Sequence, residues 1–126
     1  MTNNPVGWFE IYVQDMARAK KFYESVLRVS LEKLGDPNDS TVEMMAFPMG
    51  MGRPGASGAL TKMSGFPSGG NSTLVYFSCM DCAEEAGRVA SSGGRIQREK
   101  MAIGEYGFIA LAFDTEENMF GLHSMQ

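Results

Sequence analysis

The chain has 126 residues, of which 44% are apolar and 21% are charged, and its net charge at neutral pH is −4. This length supports one globular domain with a core, but not two independent domains. The acidic balance and the scattered Lys and Arg residues argue against a nucleic-acid-binding surface, because such surfaces concentrate positive charge.

The N-terminal sequence and the cysteine content point to a cytoplasmic protein. No apolar run approaches the roughly 20 residues that cross a bilayer, and the first residues, MTNNPVGW, lack the basic and apolar regions of a signal peptide. The two cysteines do not make a disulfide framework, so we predict a cytoplasmic location without membrane association.

The first half of the chain predicts a strand, a helix and three further strands. Residues 8–14 alternate as a strand with one apolar face does. Asp15 is suited to cap the helix, since its carboxylate accepts the free amide hydrogens of the first turn. The apolar helix face, at helical spacing, comprises Ala19, Phe22, Tyr23 and Val26. The expected strands lie at 30–34, 41–47 and 58–63, with a turn at 35–40.

The second half repeats this order after a linker at residues 65–72 that is rich in Gly, Ser and Pro. Residues 73–79 predict a strand, and Asp81 is suited to cap a helix that ends at the glycine pair 93–94. Glu84 stands where a capping box has its acid. The apolar face of this helix comprises Ala83, Ala86, Val89 and Ala90. The expected strands lie at 95–99, 107–114 and 119–124.

Superposing Asp15 on Asp81 shows that both halves follow one plan of a strand, a helix and three strands. A repeated βαβββ unit predicts an α+β fold in which helices lie on one side of curved mixed sheets and a concave cavity lies on the other. We assign residues 5–64 to module one and residues 73–126 to module two of a single domain over residues 1–126.

Three segments carry a resemblance to a known family: FEIYVQDMARAKKFYESVL at 9–27, TLVYFSCMD at 73–81 and DTEENMFGLHS at 114–124. They resemble the vicinal oxygen chelate superfamily, which includes glyoxalase I, bleomycin-resistance proteins and extradiol dioxygenases. The resemblance extends over essentially the whole chain. It implies a glyoxalase-like fold, homodimers and, in members with chemistry, a metal site on the concave sheet face.

The resemblance also locates the usual metal ligands, which are histidines of the first strand of each module and acids of the last strands. Trp8 and Leu74, seven residues before each aspartate, occupy the histidine positions, and Gly121 occupies the final acid position. The last strand of module one, GALTKM, contains no acid. Because a divalent metal takes three or four good donors, we predict no metal cofactor and none of the family's metal-dependent chemistry.

Strand alternation and the resemblance agree on which side chains face the cavity. The cavity-facing set mixes aromatic rings with a few polar groups, as small-molecule pockets do. It comprises Trp8, Glu10, Tyr12, Leu74, Tyr76, Ser78, Gly121 and His123. The helix-facing set is almost wholly apolar and comprises Phe9, Ile11, Val13, Val75, Phe77, Cys79, Phe120 and Leu122. A solvated sheet face or a dimer interface is the alternative interpretation of the cavity-facing set.

Two members of the cavity-facing set are candidates for acid–base chemistry. A carboxylate such as Glu10 gains proton affinity among aromatic walls, and a histidine such as His123 can serve as an acid or a base. The alternative is that Glu10 only pairs with a nearby Tyr hydroxyl or Arg. Arg53, in the loop 48–58, is a candidate anion contact, and Tyr106 is a candidate for the cavity edge.

Cys79 and Cys82 form a CxxC motif, which in redox proteins places an attacking thiol at a helix N-terminus. Cys82 follows the cap residue Asp81, whose negative charge opposes thiolate formation. Cys79 is expected to pack on the helix-facing side of its strand.

Three functions follow from these features. The first is binding of a small, partly aromatic molecule by a bleomycin-resistance-like protein that lacks the metal. The second is a metal-independent lyase, isomerase or epimerase that uses Glu10 or His123 as its acid–base. The third is a thiol-redox protein that uses Cys79 and Cys82. Whether the chain is an enzyme stays open on the sequence.

Overall fold

The computed structural model describes residues 4–35, 39–70 and 72–126. It confirms the predicted α+β class, since the described residues form eight strands, two α-helices and two short 3-10 turns. The chain divides into a first unit, Trp8–Thr73, and a second unit, Leu74–Gln126 with the described residues up to Gly7. Residues 36–38 of the predicted turn and residue 71 of the predicted linker lie outside the described ranges.

The first unit contains the elements β1 to β4 and helix α1. These are β1 (Val6–Tyr12), α1 (Met16–Leu27), β2 (Glu32–Leu34), β3 (Val42–Ala46) and β4 (Ser57–Met63). The strands lie in the order β2-β3-β4-β1, in which β1 and β4 are parallel and the other pairs are antiparallel. Helix α1 begins after Asp15, whose carboxylate accepts a 3.0 Å hydrogen bond from the Arg18 N–H. The predicted cap is therefore confirmed.

The apolar face of α1 differs from the predicted one. Ala19 and Tyr23 pack against a core of Val13, Met16, Leu31 and Leu60. Phe22 and Val26 are more than half exposed, so their predicted burial is wrong. The helix covers the sheet with the stripe Met16, Ala19 and Tyr23, spaced i, i+3 and i+7, and this narrow stripe leaves the next row outside the core.

The second unit contains four strands, one short α-helix and two 3-10 turns. These are β5 (Thr73–Ser78), α2 (Cys82–Ala86), the turn Ala90–Ser92, β6 (Arg95–Ala102), the turn Gly104–Tyr106, β7 (Phe108–Phe113) and β8 (Met119–Ser124). The strand order is β5-β8-β7-β6, with β5 and β8 parallel. Its core contains Cys82, Ala86, Ala110 and Leu122.

Helix α2 is shorter than predicted. Asp81 caps it by accepting a 3.0 Å bond from the Ala83 N–H, but the α-helix ends at Ala86 instead of continuing to the glycine pair. Residues 87–94, GRVASSGG, favour turns over helix because Gly, Ser and Val have low helix propensity. Gly93, the first residue of the glycine pair, ends the 3-10 turn Ala90–Ser92 with a left-handed backbone, where φ is 102°.

The repeat predicted from the sequence is visible in the strand connectivity of the two units. In each unit the last strand pairs in parallel with the first, and the third and second strands follow outward. One α-helix packs on the strands of each unit, at a core of buried apolar side chains. No helix in the described ranges is long and apolar enough to span a membrane.

Candidate functional site

Strand alternation in the first unit separates a core side from an opposite side. Ile11 of β1 and Val13, just after the end of β1, pack in the core under α1, and the Phe9 ring lies 5.6 Å from that of Phe47. Alternate side chains on a strand point to opposite faces, so Trp8, Glu10 and Tyr12 lie on the other side, as predicted. On β4, Leu60 is in the core.

The register of the first unit defines the rest of this opposite side. Because paired residues share a sheet face, it includes Ala59 and Thr61 of β4 and Met44 and Ala46 of β3. We call this surface the polar face of the first unit. Its members on β1, β3 and β4 are Trp8, Glu10, Tyr12, Val42, Met44, Ala46, Ser57, Ala59, Thr61 and Met63.

Glu10 is the buried carboxyl group of the polar face, with only 9% of its surface exposed. One carboxylate oxygen accepts a 2.8 Å bond from the Tyr12 hydroxyl, and the other accepts a 3.2 Å bond from the Trp8 indole N–H. Burial raises the pKa of Glu10 above its usual value of 4.5, and the two hydrogen bonds offset only part of this rise. The carboxyl group is thus fixed between two aromatic donors and has increased proton affinity.

A linker residue that the sequence analysis missed supports Tyr12. The Phe66 ring stacks on the Tyr12 ring at a centroid distance of 5.0 Å and an angle of 22°. The Gln14 side chain donates a 3.1 Å bond to the Phe66 carbonyl, which fixes the linker beside β1. A lone aromatic residue in a segment of Gly, Ser and Pro is the signal that would have revealed this contact.

A surface pocket of about 400 Å³ lies beside this contact between Gln14 and Phe66. It is lined by Gln14, Lys62 and residues 63–67. None of the predicted site residues lines it. The pocket is open to solvent and has no buried polar group, so Glu10 remains the better centre for a candidate site.

In the second unit, the predicted site residues of β5 and β8 also share one side of the sheet. Tyr76 pairs with Gly121, and Ser78 pairs with His123, whereas Leu122 lies in the core on the opposite side. Leu74 and Tyr76 are buried, His123 is half-buried and Ser78 is exposed. A Cβ atom on residue 121 would overlap the Tyr76 ring, so glycine makes room for that ring.

His123 is held by the backbone of its own unit. Its Nε2 lies 2.5 Å from the carbonyl oxygen of Tyr106, in the 3-10 turn before β7. A carbonyl oxygen only accepts hydrogen bonds, so Nε2 carries a proton and Nδ1 is the acceptor of the neutral ring. The Tyr106 side chain itself is more than half exposed.

The ligand positions implied by the resemblance do not fit a divalent metal. The Trp8 indole is a donor bound to Glu10, Leu74 is a buried aliphatic side chain, and the space beside residue 121 is filled by the Tyr76 ring. Within the described ranges, no group of three or more His, Cys, Asp or Glu side chains is placed to hold a metal ion. The absence of a metal cofactor stays a prediction.

The CxxC cysteines are free thiols in surroundings that suit packing. Burial, reinforced by the nearby Glu85 carboxylate, raises the pKa of Cys79 to about 11. Cys82 is fully buried in the core of the second unit beside Ala86. A thiolate is the reactive form of cysteine, so this environment gives the thiol-redox hypothesis no support.

Arg53, the candidate anion contact, lies in the loop between β3 and β4. Its side chain is exposed, and its backbone N–H donates a 3.3 Å bond to the Gly50 carbonyl in a turn. The structure therefore places Arg53 at the surface, where the described loop does not form an anion-binding site around it.

Comparison with known proteins decides the family. The model of the Glyoxalase/Bleomycin resistance protein/Dioxygenase superfamily matches residues 6–122. The chain belongs to this superfamily. The resemblance inferred from three segments is therefore confirmed, whereas a search of curated protein sequences finds no significant match.

Solved structures of the same fold cover nearly the whole chain. A hypothetical protein from Bacillus halodurans C-125 has a TM-score of 0.70 and 12% identity, over 96% of this chain and 94% of that one. Methylmalonyl-CoA epimerase from Mycobacterium tuberculosis has a TM-score of 0.69 and 15% identity, over 97% and 88%. A Streptomyces coelicolor methylmalonyl-CoA epimerase variant, in complex with 2-nitronate-propionyl-CoA, has a TM-score of 0.67 and 12% identity, over 96% of both chains. At these identities the similarity establishes the fold of this superfamily member and no more.

Proposed function

We propose that this superfamily member binds a small, partly aromatic organic molecule against the polar face of the first unit. The observation that carries the proposal is the Glu10 carboxyl group, which is buried yet fixed by Trp8 and Tyr12. A convergent polar group among aromatic and aliphatic side chains is the usual composition of a small-molecule site. The aromatic rings supply contact area, and the carboxylate supplies orientation.

The charge of this face limits the ligand. Register places Glu32 of β2 on the same side as Ala46, so the strand positions of this face carry Glu10 and Glu32 and no Lys or Arg. Lys33 and Lys62 occupy the alternate positions of their strands. A buried carboxylate repels an anionic ligand in a medium of low dielectric constant. The ligand is therefore uncharged or cationic, with a hydrogen-bond donor for Glu10.

Trp8 is the only tryptophan of the chain, so its fluorescence reports directly on this site. Titration with uncharged aromatic compounds is expected to quench it saturably in the wild type. Glu10→Gln is expected to weaken binding about fivefold or more, because the amide has one acceptor oxygen where the carboxylate has two and carries no charge. Glu43→Gln is the matched control, since Glu43 is exposed and lies on the alternate side of β3. Equal affinity in both variants, or only linear quenching by every compound, would contradict the proposal.

A second candidate function is acid–base catalysis by Glu10 in a metal-independent lyase, isomerase or epimerase. It is favoured by the raised pKa of Glu10, because burial brings the carboxyl group closer to the range useful for proton transfer at neutral pH. His123 is the alternative base through Nδ1. The test is exchange of carbon-bound protons with deuterated solvent in a panel of carbonyl compounds, followed by NMR. Exchange that is lost in Glu10→Gln and kept in His123→Gln supports Glu10, and the reverse pattern supports His123.

Further predictions concern the remaining site residues and the assembly. We propose that Leu74, Tyr76, Ser78 and Gly121 contribute to ligand binding, and that the protein is a cytoplasmic homodimer. The family resemblance supports the dimer, and light scattering after gel filtration measures it. A monomer at micromolar concentration would contradict it.

A further inference from the structure

The polar face contains a second buried polar group, the hydroxyl of Thr61. Only 2% of Thr61 is exposed, and its Oγ1 has no hydrogen-bond partner among the residues that the structure describes. Thr61 pairs with Tyr12 across the parallel strands β1 and β4, so its side chain is on the same sheet face as Glu10. The core residue Leu60, next to it in sequence, points to the opposite side.

A buried hydroxyl without a partner destabilises a protein, so its presence needs an explanation. Valine has the same shape and a similar preference for strands, and it would fill this position without leaving a polar atom unpaired. The strand neighbours of Thr61 on this face are Tyr12 on β1 and Met44 on β3. The Tyr12 hydroxyl donates its proton to Glu10, the Met44 side chain has no polar hydrogen, and neither side chain bonds the Thr61 hydroxyl.

The same neighbours allow a ligand to reach the hydroxyl. Ala59 and Ala46 are small, and Met44 is an unbranched, flexible side chain that adopts new rotamers at low cost. Movement of Met44 would open the surface above Thr61 without disturbing the α1 side of the sheet, which holds the core.

We propose that Thr61 and Glu10 together recognise an uncharged aromatic carboxamide. This proposal rests on the proposed binding function and specifies its ligand class. Glu10 accepts a hydrogen bond from the amide N–H, and the Thr61 hydroxyl donates one to the amide carbonyl. An acid would be repelled by Glu10, and a ligand without a carbonyl would leave the Thr61 proton unpaired.

The test uses three probes of nearly equal shape: benzamide, benzoate and benzamidine. Their affinities are measured by Trp8 fluorescence in the wild type, Thr61→Val, Thr61→Ser and Thr73→Val. Thr73→Val is the matched control, because Thr73 is an exposed strand residue. We expect benzamide to bind the wild type most tightly. Its affinity should fall about fivefold or more in Thr61→Val and stay within about twofold in the other two variants.

The outcomes separate the ligand class from the function itself. Saturable benzamide binding that Thr61→Val leaves unchanged would overturn the role of Thr61 while the binding function stands. Equal binding of benzamidine and benzamide would overturn the carboxamide class in favour of recognition by charge. Linear quenching by all three probes would overturn the binding function as well.

Thermal unfolding without ligand gives an independent readout. Thr61→Val is expected to raise Tm by about 1 °C or more, because it removes a hydroxyl that only a ligand satisfies. A fall in Tm of several degrees would show that an internal water already satisfies the hydroxyl, and this result would overturn the proposal.

Discussion

The Tyr12 hydroxyl donates a 2.8 Å hydrogen bond to the Glu10 carboxylate, two residues earlier on the same strand. Residues i and i+2 of a strand share one face, so β1 itself brings the phenol and the carboxyl group together. The Trp8 indole approaches from the other direction at 3.2 Å. One strand therefore supplies both side-chain donors that bond the buried acid, and each of the three polar side chains can be tested singly.

Tyr12→Phe is expected to raise the pKa of Glu10 further. The hydrogen bond from Tyr12 stabilises the charged form of Glu10 and lowers its pKa. Without this bond, less opposes the rise in pKa that burial causes. The pKa can be followed by NMR of the ¹³C-labelled side-chain carboxyl groups. Tyr106→Phe, which removes an exposed hydroxyl, is the control and should leave Glu10 unchanged. A lower pKa of Glu10 in Tyr12→Phe would show that Tyr12 does not stabilise the charged form.

The stability of the wild type relative to Glu10→Gln is expected to increase as the pH falls from about 7 towards 4.5, the usual pKa of a Glu carboxyl group. Because the folded-state pKa of Glu10 lies above 4.5, the folded protein binds this proton more tightly than the unfolded chain does. At pH values above that pKa, the buried carboxylate therefore lowers the free energy of unfolding. This destabilisation disappears when the carboxylate is protonated. Urea unfolding of both proteins at several pH values measures the difference.

For this comparison the pH must stay above 3.8, the usual pKa of an Asp carboxyl group. Lys100 lowers the pKa of Asp81, and the Asn118 N–H lowers that of Asp114, so both acids lose stabilising bonds only below 3.8. These effects are common to the wild type and Glu10→Gln and cancel in the difference. A difference that stays flat over the range would show that the pKa of Glu10 is not raised.

Gly121→Ala is expected to destabilise the protein by about 2–4 kcal/mol, since the new Cβ would overlap the Tyr76 ring. Tyr76→Ala should be destabilising by itself, but the double variant should lose less than the sum of the two, because the overlap is gone. Urea unfolding of the four proteins completes the cycle. Gly87→Ala, at a position with ordinary helical backbone, is the control. Additive losses would mean that the ring and residue 121 do not compete for space.

The native thiols are expected to react slowly with Ellman's reagent at about pH 8. A pKa of about 11, against the usual 9.0, leaves Cys79 with about 100-fold less thiolate than an ordinary cysteine, and Cys82 is shielded by burial. Both thiols should react rapidly once the protein is unfolded in urea. Rapid reaction of the native protein would instead revive the thiol-redox hypothesis.

Much of the fold could be predicted because it depends on local periodicity. The strand 119–124 has the predicted bounds, and the Asp15 and Asp81 caps hold the helices as expected. The alternation of β1 correctly separated Glu10 from the core side chain Ile11. These signals lie within a few residues of one another, where sequence patterns are most informative.

The failures concern contacts between elements that sequence spacing does not specify. Phe22 has the right spacing for the core side of α1, but the rotation of the helix on its sheet decides which row is buried. The role of Phe66 depends on where the linker lies, and the importance of Thr61 depends on the register of β4 against β1. Neither the path of a loop nor the register of a distant parallel strand can be read from composition.

The Phe66 contact has a consequence for protein engineering. Segments rich in Gly, Ser and Pro are commonly chosen as places to cut, lengthen or circularly permute a chain. Here, new termini between residues 65 and 70 would separate the Phe66 ring from Tyr12 and so loosen the support of Glu10. The exposed turn around Gly52, where a Cβ atom added to the glycine would meet nothing within 4 Å beyond its chain neighbours, is the better place to open the chain.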